Sequence, residues 1–270
     1  MSEEIRTFES LLKHTVVDPD VLAENLERAK DVTKDYLILF GARTGSTWLT
    51  HLLSNNIGIP DEYINPEFMS QSAIAAGAKG RYEFIQGLRG LTHSNGVFGI
   101  EATCEHIEIF DERAFFTLLP NLTVFHLWRE NLVAQSVSIY RAVMTGRYHS
   151  IDGGPTPEPH YDAEEMANWY QYMARVENGN VELMLRRGLS PINITYETLF
   201  ENKYVTRDLF FKSLGVVPNY IEETAEGRIE KVSSEWNKLV EARFRAEFSD
   251  LVEFTERGRL PKRLQMASVL

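Results

Sequence analysis

Residues 36–40 of this chain form an uninterrupted apolar run, and a segment containing two glycines follows at residues 41–47. Strands that are buried on both faces carry apolar side chains at consecutive positions, and this run has the length of such a strand. Residues 48–53 then place their apolar side chains on one helical face. The sequence therefore predicts a buried strand, a tight turn and a helix in succession.

Three further strand candidates lie along the chain, at residues 97–100, 123–128 and 192–196. Helical patterns separate them, including a long one from residue 163 towards residue 187. Strands that alternate with helices predict an α/β fold, in which a P-loop-like parallel sheet has helices on both faces. We expect extra helical segments at the N-terminal and C-terminal ends.

The helix predicted over residues 131–144 has two different sides. Its apolar side is an expected buried stripe of Val133, Val137, Tyr140 and Met144. Away from this stripe, at intervals of three, lie Gln135, Ser138 and Arg141. Residues three apart are neighbours on a helix surface, so these polar side chains could form part of an anion site.

We predict a helical accessory segment over residues 1–34 and one α/β domain over residues 35–270. Asp18 is the expected cap of the second N-terminal helix, because Pro19 suits the first helical position. The Gly- and Pro-rich residues 151–159 break any regular element, and they are long enough for a mobile loop or lid.

Composition excludes several classes of protein. A formal net charge of −11 opposes broad nucleic-acid binding, because phosphate backbones attract an excess of Lys and Arg. The single cysteine, Cys104, excludes an intramolecular disulfide and a cysteine-rich metal cage. The first residues lack a signal-peptide pattern, and no run approaches the ~18 apolar residues of a membrane span. We expect a cytoplasmic protein.

The segment of residues 41–47 reads Gly-Ala-Arg-Thr-Gly-Ser-Thr. Between a strand and a helix, backbone N–H groups and the helix dipole converge on an anion, so this position favours phosphate binding. The segment is similar to a Walker A loop but lacks its lysine, and Arg43 is the only cation in it. The alternative is a tight turn in which Ser46 caps the next helix.

Arg129 directly follows the third predicted strand. In an open parallel sheet, ligands gather at the carboxyl ends of the strands, so Arg129 and the segment of residues 41–47 should open onto one crevice. The alternative for Arg129 is a surface salt bridge with Glu130 or Asp111.

Together these two segments resemble the nucleotide-binding signature of sulfotransferases that use 3′-phosphoadenosine 5′-phosphosulfate (PAPS). The resemblance implies that the first segment binds the 5′-phosphosulfate through Arg43, Thr44, Gly45, Ser46, Thr47 and Trp48. It implies that the second holds the 3′-phosphate through Arg129 and Ser138. Arg43 would also stabilise charge as the sulfuryl group leaves, and a metal ion is expected to be dispensable because a sulfuryl group carries less charge than a phosphoryl group.

More closely, the chain resembles the bacterial trehalose 2-sulfotransferase-like (LPS sulfotransferase-type) family. Besides the first segment, the features that carry this match are Pro-Asp-Glu-Tyr at residues 60–63, Arg-Ala-x-x-Thr-Gly at residues 141–146 and Ser-Glu-Trp at residues 234–236. The resemblance implies that Glu62 is the general base, with Glu67 as a second candidate. A carboxylate in a partly desolvated cleft can accept the proton of an attacking hydroxyl.

The chain departs from that family at Glu101, which stands after the second strand where relatives often place a lysine. This acid leaves contacts with the acceptor open on that side, and it also resembles the carboxylate that holds Mg²⁺ in P-loop enzymes. Arg141 and His149 are further candidates for acceptor contacts. The expected acceptor is a hydroxyl of a carbohydrate, glycolipid or other small molecule, and a homodimer is possible.

Two other functions stay open at this point. One is a Mg-dependent P-loop kinase of small molecules that uses Glu101. The other is a non-catalytic nucleotide-binding module.

Overall fold

The computed structural model describes residues 6–54, 56–148, 158–218 and 234–267. Within these ranges one parallel sheet contains β1 (Lys34–Phe40), β2 (Val97–Ala102), β3 (Leu122–Trp128) and β4 (Ile192–Thr195), in the spatial order β2-β1-β3-β4. In the central strand, Leu37 lies beside Ile100 of β2 and Val124 of β3. The predicted α/β fold, with a parallel sheet flanked by helices, is confirmed.

Helices connect the strands and extend the fold at both ends. Their bounds are α1 (Phe8–Leu12), α2 (Pro19–Ala29), α3 (Ser46–Leu53), α4 (Met69–Ala76), α5 (Arg81–Thr92), α6 (Cys104–Phe110), α7 (Glu112–Leu118), α8 (Leu132–Thr145), α9 (Ala163–Arg187), α10 (Tyr196–Glu201), α11 (Lys203–Leu214), α12 (Glu235–Glu247), α13 (Ser249–Gly258) and α14 (Leu260–Ala267).

Helices cover both faces of the sheet, which explains why β1 is apolar at consecutive positions. Leu37 and Leu39 point into a cluster formed with α4, α5, α6, α7 and α9. Tyr36, Ile38 and Phe40 point into a second cluster, formed with α3, α10 and α11. Because alternate side chains of a strand point to opposite faces, both sets have to be apolar.

A glycine in β2 makes room for one of these side chains. Gly99 is paired with Tyr36, and a Cβ atom at Gly99 would lie 2.3 Å from the Tyr36 ring. Any larger residue would push the ring out of its place, so the close approach of the two strands at this point requires glycine.

The two N-terminal helices pack onto the remainder of the chain. Phe8 and Leu12 of α1 are buried in the same cluster as α4 and α5, and α2 packs against α5. Asp18 accepts a hydrogen bond from the backbone N–H of Asp20, with Pro19 at the first helical position, as predicted. The division into an accessory segment and a domain at residue 34 stays a prediction.

Two details of the predicted elements were wrong. Met144 is 49% exposed, so the buried stripe of α8 ends before it. Tyr196 does not extend β4 but begins α10, because the Thr195 side chain caps that helix by accepting from the N–H of Thr198. An N-cap residue ends the strand before the helix starts.

Among the helices within the described ranges, none combines the length and the apolar character needed to cross a lipid bilayer.

Candidate functional site

The loop between β1 and α3, residues 41–45, is called the β1 loop below. Arg43 and Gly45 both adopt left-handed backbone angles, with φ of 65° and 85°. The hydroxyl of Thr44 donates to the carbonyl of Gly41 at 2.7 Å and closes the turn. Gly45, not Ser46, is the N-cap of α3, and it provides no side-chain cap. The first N–H groups of α3 can therefore face an anion, and the alternative of a helix capped by Ser46 was wrong.

Two helices, α8 and α9, support the β1 loop. Gln135 of α8 donates to the carbonyl of Ala42 at 2.7 Å, and Asn180 of α9 donates to the carbonyl of Phe40 at 2.8 Å. Gln135, expected outside the apolar stripe of α8, is nevertheless only 3% exposed, because its amide serves this loop. The two amides fix the path of the main chain at the carboxyl end of β1.

Arg43 reaches from the β1 loop to α8. Its Nε donates to the hydroxyl of Ser138 at 3.0 Å, and its Nη1 donates to the carbonyl of Tyr148 at 2.5 Å. Burial lowers the pKa of the guanidinium, and the nearby charge of Arg129 lowers it further. Two cations held this close favour an anion between or beside them.

Arg129, directly after β3, lies next to the β1 loop. Its Nη1 donates to the carbonyl of Arg43 at 3.4 Å, and its guanidinium lies 4.3 Å from the centre of the Tyr196 ring. Its carboxylate partner is Glu197, 4.0 Å away, so the alternative of a surface salt bridge with Glu130 or Asp111 was wrong. Burial lowers the pKa of Arg129 as well. Arg43, Ser138 and Arg129 thus meet at the carboxyl edge of the sheet.

Close packing holds Tyr196 against the β1 loop. A Cβ atom at Gly45 would lie 3.1 Å from the Tyr196 ring, in addition to the strain of its positive φ. Next along the chain, Trp48 is half-buried, and its ring lies 6.0 Å from that of Phe200. Thr47, which directly precedes Trp48, is exposed. An aromatic surface therefore flanks the start of α3.

Arg141 lies farther along α8 and contacts α12. Its Nη1 donates to the hydroxyl of Ser234 and to Asn237 Oδ1, both at 2.9 Å, and its guanidinium lies 5.6 Å from the centre of the Trp236 ring. It is only 5% exposed, so α12 covers it. These contacts join the tail of the Arg129 segment to the Ser-Glu-Trp element at residues 234–236.

Residues 60–63 pack between α3 and β2. The hydroxyl of Thr50 donates to the carbonyl of Pro60 at 3.0 Å, and the N–H of Glu101 donates to the carbonyl of Asp61 at 2.9 Å. Glu62 is half-buried and accepts from the Asn65 amide at 2.7 Å. Burial raises its pKa, and the negative charge of Asp61 adds to this.

Glu67 lies on the surface, away from Glu62. Its side chain is 72% exposed and pairs with Arg6 at 3.2 Å. A carboxylate in this position has no desolvated cleft around it, and the geometry favours Glu62 over Glu67 as a base.

Glu101 lies near the end of β2 and is 2% exposed. Its Oε1 lies within hydrogen-bond distance of the Thr50 hydroxyl oxygen, at 2.7 Å. Burial raises its pKa to about 8, against the opposing effect of hydrogen bonds from Thr50 and Ser46 and with a further rise from the charge of Glu62. At neutral pH this carboxyl is therefore mainly protonated, and it links α3 to β2.

A cavity of about 490 Å³ adjoins the β1 loop. Its lining residues come from the end of β1, the β1 loop, residues 60–65, α6 with the residue before it, α8 with the segment after it, and α9. They are Phe40, Ala42, Glu62, Asn65, Thr103, His106, Ile139, Val143, Tyr148, Glu165, Asn168, Trp169, Tyr172, Met173 and Val176. Of the described residues around this cavity, none is Lys or Arg. Burial lowers the pKa of His106 to about 4, so this ring is neutral at pH 7. The cavity has the size of a small-molecule site and an acidic lining.

Sequence reasoning missed much of this cavity. Trp169 donates to Glu165 at 3.0 Å, and its ring makes an edge contact with Tyr172 at 5.7 Å. Neither aromatic residue belongs to the predicted site, because the sequence around them contains no recognisable functional motif. His149 lies outside the described residues, as does most of the expected loop at residues 151–159.

In the described part of the chain, no group of three or more His, Cys, Asp or Glu side chains is arranged to hold a metal ion.

The sequence model of the family described as Stf0 sulphotransferase matches residues 89–247, which is more than half of the chain. The chain itself matches no curated protein. The matched range contains Arg129, Ser138 and the Ser-Glu-Trp element, whereas the β1 loop and Glu62 precede it. The family resemblance inferred from the motifs is confirmed by this match, and the chain belongs to the Stf0 sulphotransferase family, whose members transfer sulfuryl groups.

Proposed function

We propose that this sulfotransferase moves the sulfuryl group of PAPS to a hydroxyl of a small acceptor bound in the cavity beside the β1 loop. The observation that carries the proposal is the meeting of Arg43, Ser138 and Arg129 at one edge of the sheet. PAPS has two anionic ends on one adenosine, and two adjacent arginines from different strand ends suit such a donor.

The β1 loop would bind the 5′-phosphosulfate. Arg43, the hydroxyls of Ser46 and Thr47, and the first N–H groups of α3 are its candidate donors, whereas the Thr44 hydroxyl donates to the carbonyl of Gly41. Arg129 and Ser138 would hold the 3′-phosphate. Trp48 lies at the start of α3, where its ring can contact the adenine.

In the reaction, the acceptor oxygen bonds to sulfur while the bond between sulfur and the bridging oxygen breaks. The hydroxyl proton passes to Glu62, whose raised pKa makes it a stronger base than an exposed carboxylate. The electron pair of the broken bond stays on the 5′-phosphate, and Arg43 stabilises the charge that develops there. The products are a sulfate ester and 3′-phosphoadenosine 5′-phosphate.

The charges around the cavity limit the chemical class of acceptor that can bind there. Glu62 and Glu165 line it, and the described lining includes no cationic side chain to balance an anion. We therefore propose an acceptor that is uncharged or cationic. A carbohydrate or a glycolipid head group meets this condition when it has no acid group, and so do other small alcohols and phenols.

Ligand-dependent thermal stability tests the donor. We expect 3′-phosphoadenosine 5′-phosphate to raise the melting temperature without magnesium, since a ligand that binds only the folded state stabilises it. Stabilisation by MgATP but not by this nucleotide would contradict the proposal and favour a kinase. Transfer of labelled sulfate from PAPS to a panel of uncharged acceptors then tests the chemistry, and binding without any transfer would favour a non-catalytic module.

A further inference from the structure

The main chain after β3 is held from two sides. Glu197, in the first turn of α10, accepts from the N–H groups of Glu130 at 3.0 Å and Asn131 at 3.4 Å. Arg259 donates to the carbonyl of Arg129 from Nη2 at 2.5 Å, and to the carbonyl of Glu130 from Nη1 at 2.6 Å. Both the amides and the carbonyls of this turn are therefore bound by side chains from other elements.

Arg259, between α13 and α14, is itself fixed by a buried ion pair. Its Nε and Nη2 donate to the two carboxylate oxygens of Glu177, each at 2.7 Å, and the two side chains are 0% and 6% exposed. Its Nη1 also reaches Glu256 at 3.3 Å, and its guanidinium lies 5.5 Å from the Trp128 ring. Each of the five guanidinium N–H groups thus has an acceptor, which the three donors of a lysine cannot reproduce.

The partner of Arg259 belongs to the helix that also supports the β1 loop. Glu177 lies one turn before Asn180 on α9, and Asn180 holds the carbonyl of Phe40. Asn178, between them, accepts from the N–H of Leu260 at 2.9 Å. One helix therefore braces both turns from which Arg43 and Arg129 project. A buried ion pair contributes little net stability after desolvation, so its main effect here is on geometry.

We propose that Arg259 is a positioning residue for the donor: it holds the turn after β3 so that Arg129 faces the 3′-phosphate. The inference rests on the proposed function. Arg259 lies beyond residue 247, where the family match ends. It is therefore a determinant of donor binding that the matched region does not contain.

The test compares 3′-phosphoadenosine 5′-phosphate with adenosine 5′-phosphate, because the ratio of their dissociation constants isolates the 3′-phosphate. We expect Arg259→Lys to weaken binding of the first nucleotide about ten- to a hundredfold, the size of a lost charge-assisted hydrogen bond, and to leave the second nearly unchanged. Arg129→Lys should give the same pattern. Arg257→Lys is the matched control, since Arg257 lies on α13 with a 77% exposed side chain, and should change neither constant.

The inference would be overturned if Arg259→Lys left the ratio of the two dissociation constants unchanged, whether both nucleotides bound equally more weakly or neither did. Arg259 would then have a structural role only. If that variant does not fold, Glu177→Gln is measured in the same way, because it keeps the shape of the partner and removes its charge. A parent protein that binds both nucleotides equally would instead refute the proposed donor, and the inference with it.

Discussion

Arg43 and Ser138 are hydrogen-bonded across the site, from Nε to the hydroxyl at 3.0 Å, although 95 positions separate them in the chain. One side chain comes from the loop after β1 and the other from the helix after β3. Because both strands end at the same edge of the sheet, their following elements meet there. This contact places the two proposed anion sites side by side.

Arg43→Ala should lower kcat about 10²- to 10³-fold, the typical effect of removing one donor that stabilises charge in a transition state. The expected loss arises in the chemical step, so single-turnover transfer from PAPS is the measurement. Arg257→Ala on the exposed side of α13 is the control and should retain full activity. An Arg43→Ala variant with the parent rate would remove Arg43 from the mechanism.

Glu62→Gln should lower kcat about 10²- to 10⁴-fold while leaving nucleotide binding intact, because it removes a general base without changing its shape. Glu67→Gln is the control, since Glu67 is exposed and paired with Arg6. Similar losses in both variants would argue against Glu62 as the base.

The pH dependence of the parent enzyme should report the same group. A base must be deprotonated, and burial raises the pKa of Glu62, so kcat should fall on the acid side at a higher pH than for an exposed carboxylate. We expect this acid limb to disappear from the residual activity of Glu62→Gln. Its persistence would assign the limb to another group.

Glu101 should make the fold less stable as the pH rises. Its pKa is raised from an ordinary 4.5 to about 8, so between these values the folded state binds one more proton than the unfolded state. The free energy of unfolding should therefore decrease across this window, at about 1.4 kcal/mol per pH unit, and level off above it.

Glu101→Gln should remove this slope and gain stability relative to the parent above pH 8. Urea unfolding at about pH 5 and about pH 9 is the measurement. Glu235→Gln, at an 81% exposed position on α12, should keep the parental slope. An unchanged slope in Glu101→Gln would show that Glu101 is ionised in the folded protein.

Acceptor charge should affect the rate through the cavity. Two phenols of similar size, one with an ammonium and one with a carboxylate group, should differ in kcat/KM by about tenfold or more in favour of the ammonium, because Glu62 and Glu165 line the cavity. Glu165→Gln should narrow this difference. A preference for the carboxylate in the parent would contradict the proposed acceptor class.

The fold could be predicted from the sequence where local patterns and burial agree. The apolar run of β1 identifies a strand covered on both faces, and Asp18 with Pro19 identifies the start of α2. The ends of the strands were harder to predict. β2 continues to Ala102 because the Glu101 side chain forms a hydrogen bond with Thr50 of α3. No local sequence pattern shows this contact. The predicted burial of Met144 was wrong for a related reason, since helical spacing alone does not show where the covering helix ends.

The site was predictable in its anion-binding part and not in its acceptor part. Arg43 lies three residues after the end of β1 and Arg129 directly after β3, so topology alone brings them together. Much of the cavity wall comes from α6, α8 and α9, and only tertiary packing brings His106 and Trp169 to the same cavity. Glu67 could not be separated from Glu62 by sequence, because only the folded chain shows that Glu62 is half-buried beside the cavity and Glu67 is exposed.

The ion pair of Arg259 and Glu177 has a practical consequence for anyone who ends this protein where its family match ends. A chain cut after residue 247 would keep every strand of the sheet, together with Arg43 and Arg129, and would leave the Glu177 carboxylate without its cation. If such a fragment folds, we expect it to bind adenosine nucleotides without distinguishing 3′-phosphoadenosine 5′-phosphate from adenosine 5′-phosphate. Its inactivity would then be misread as the absence of an enzyme.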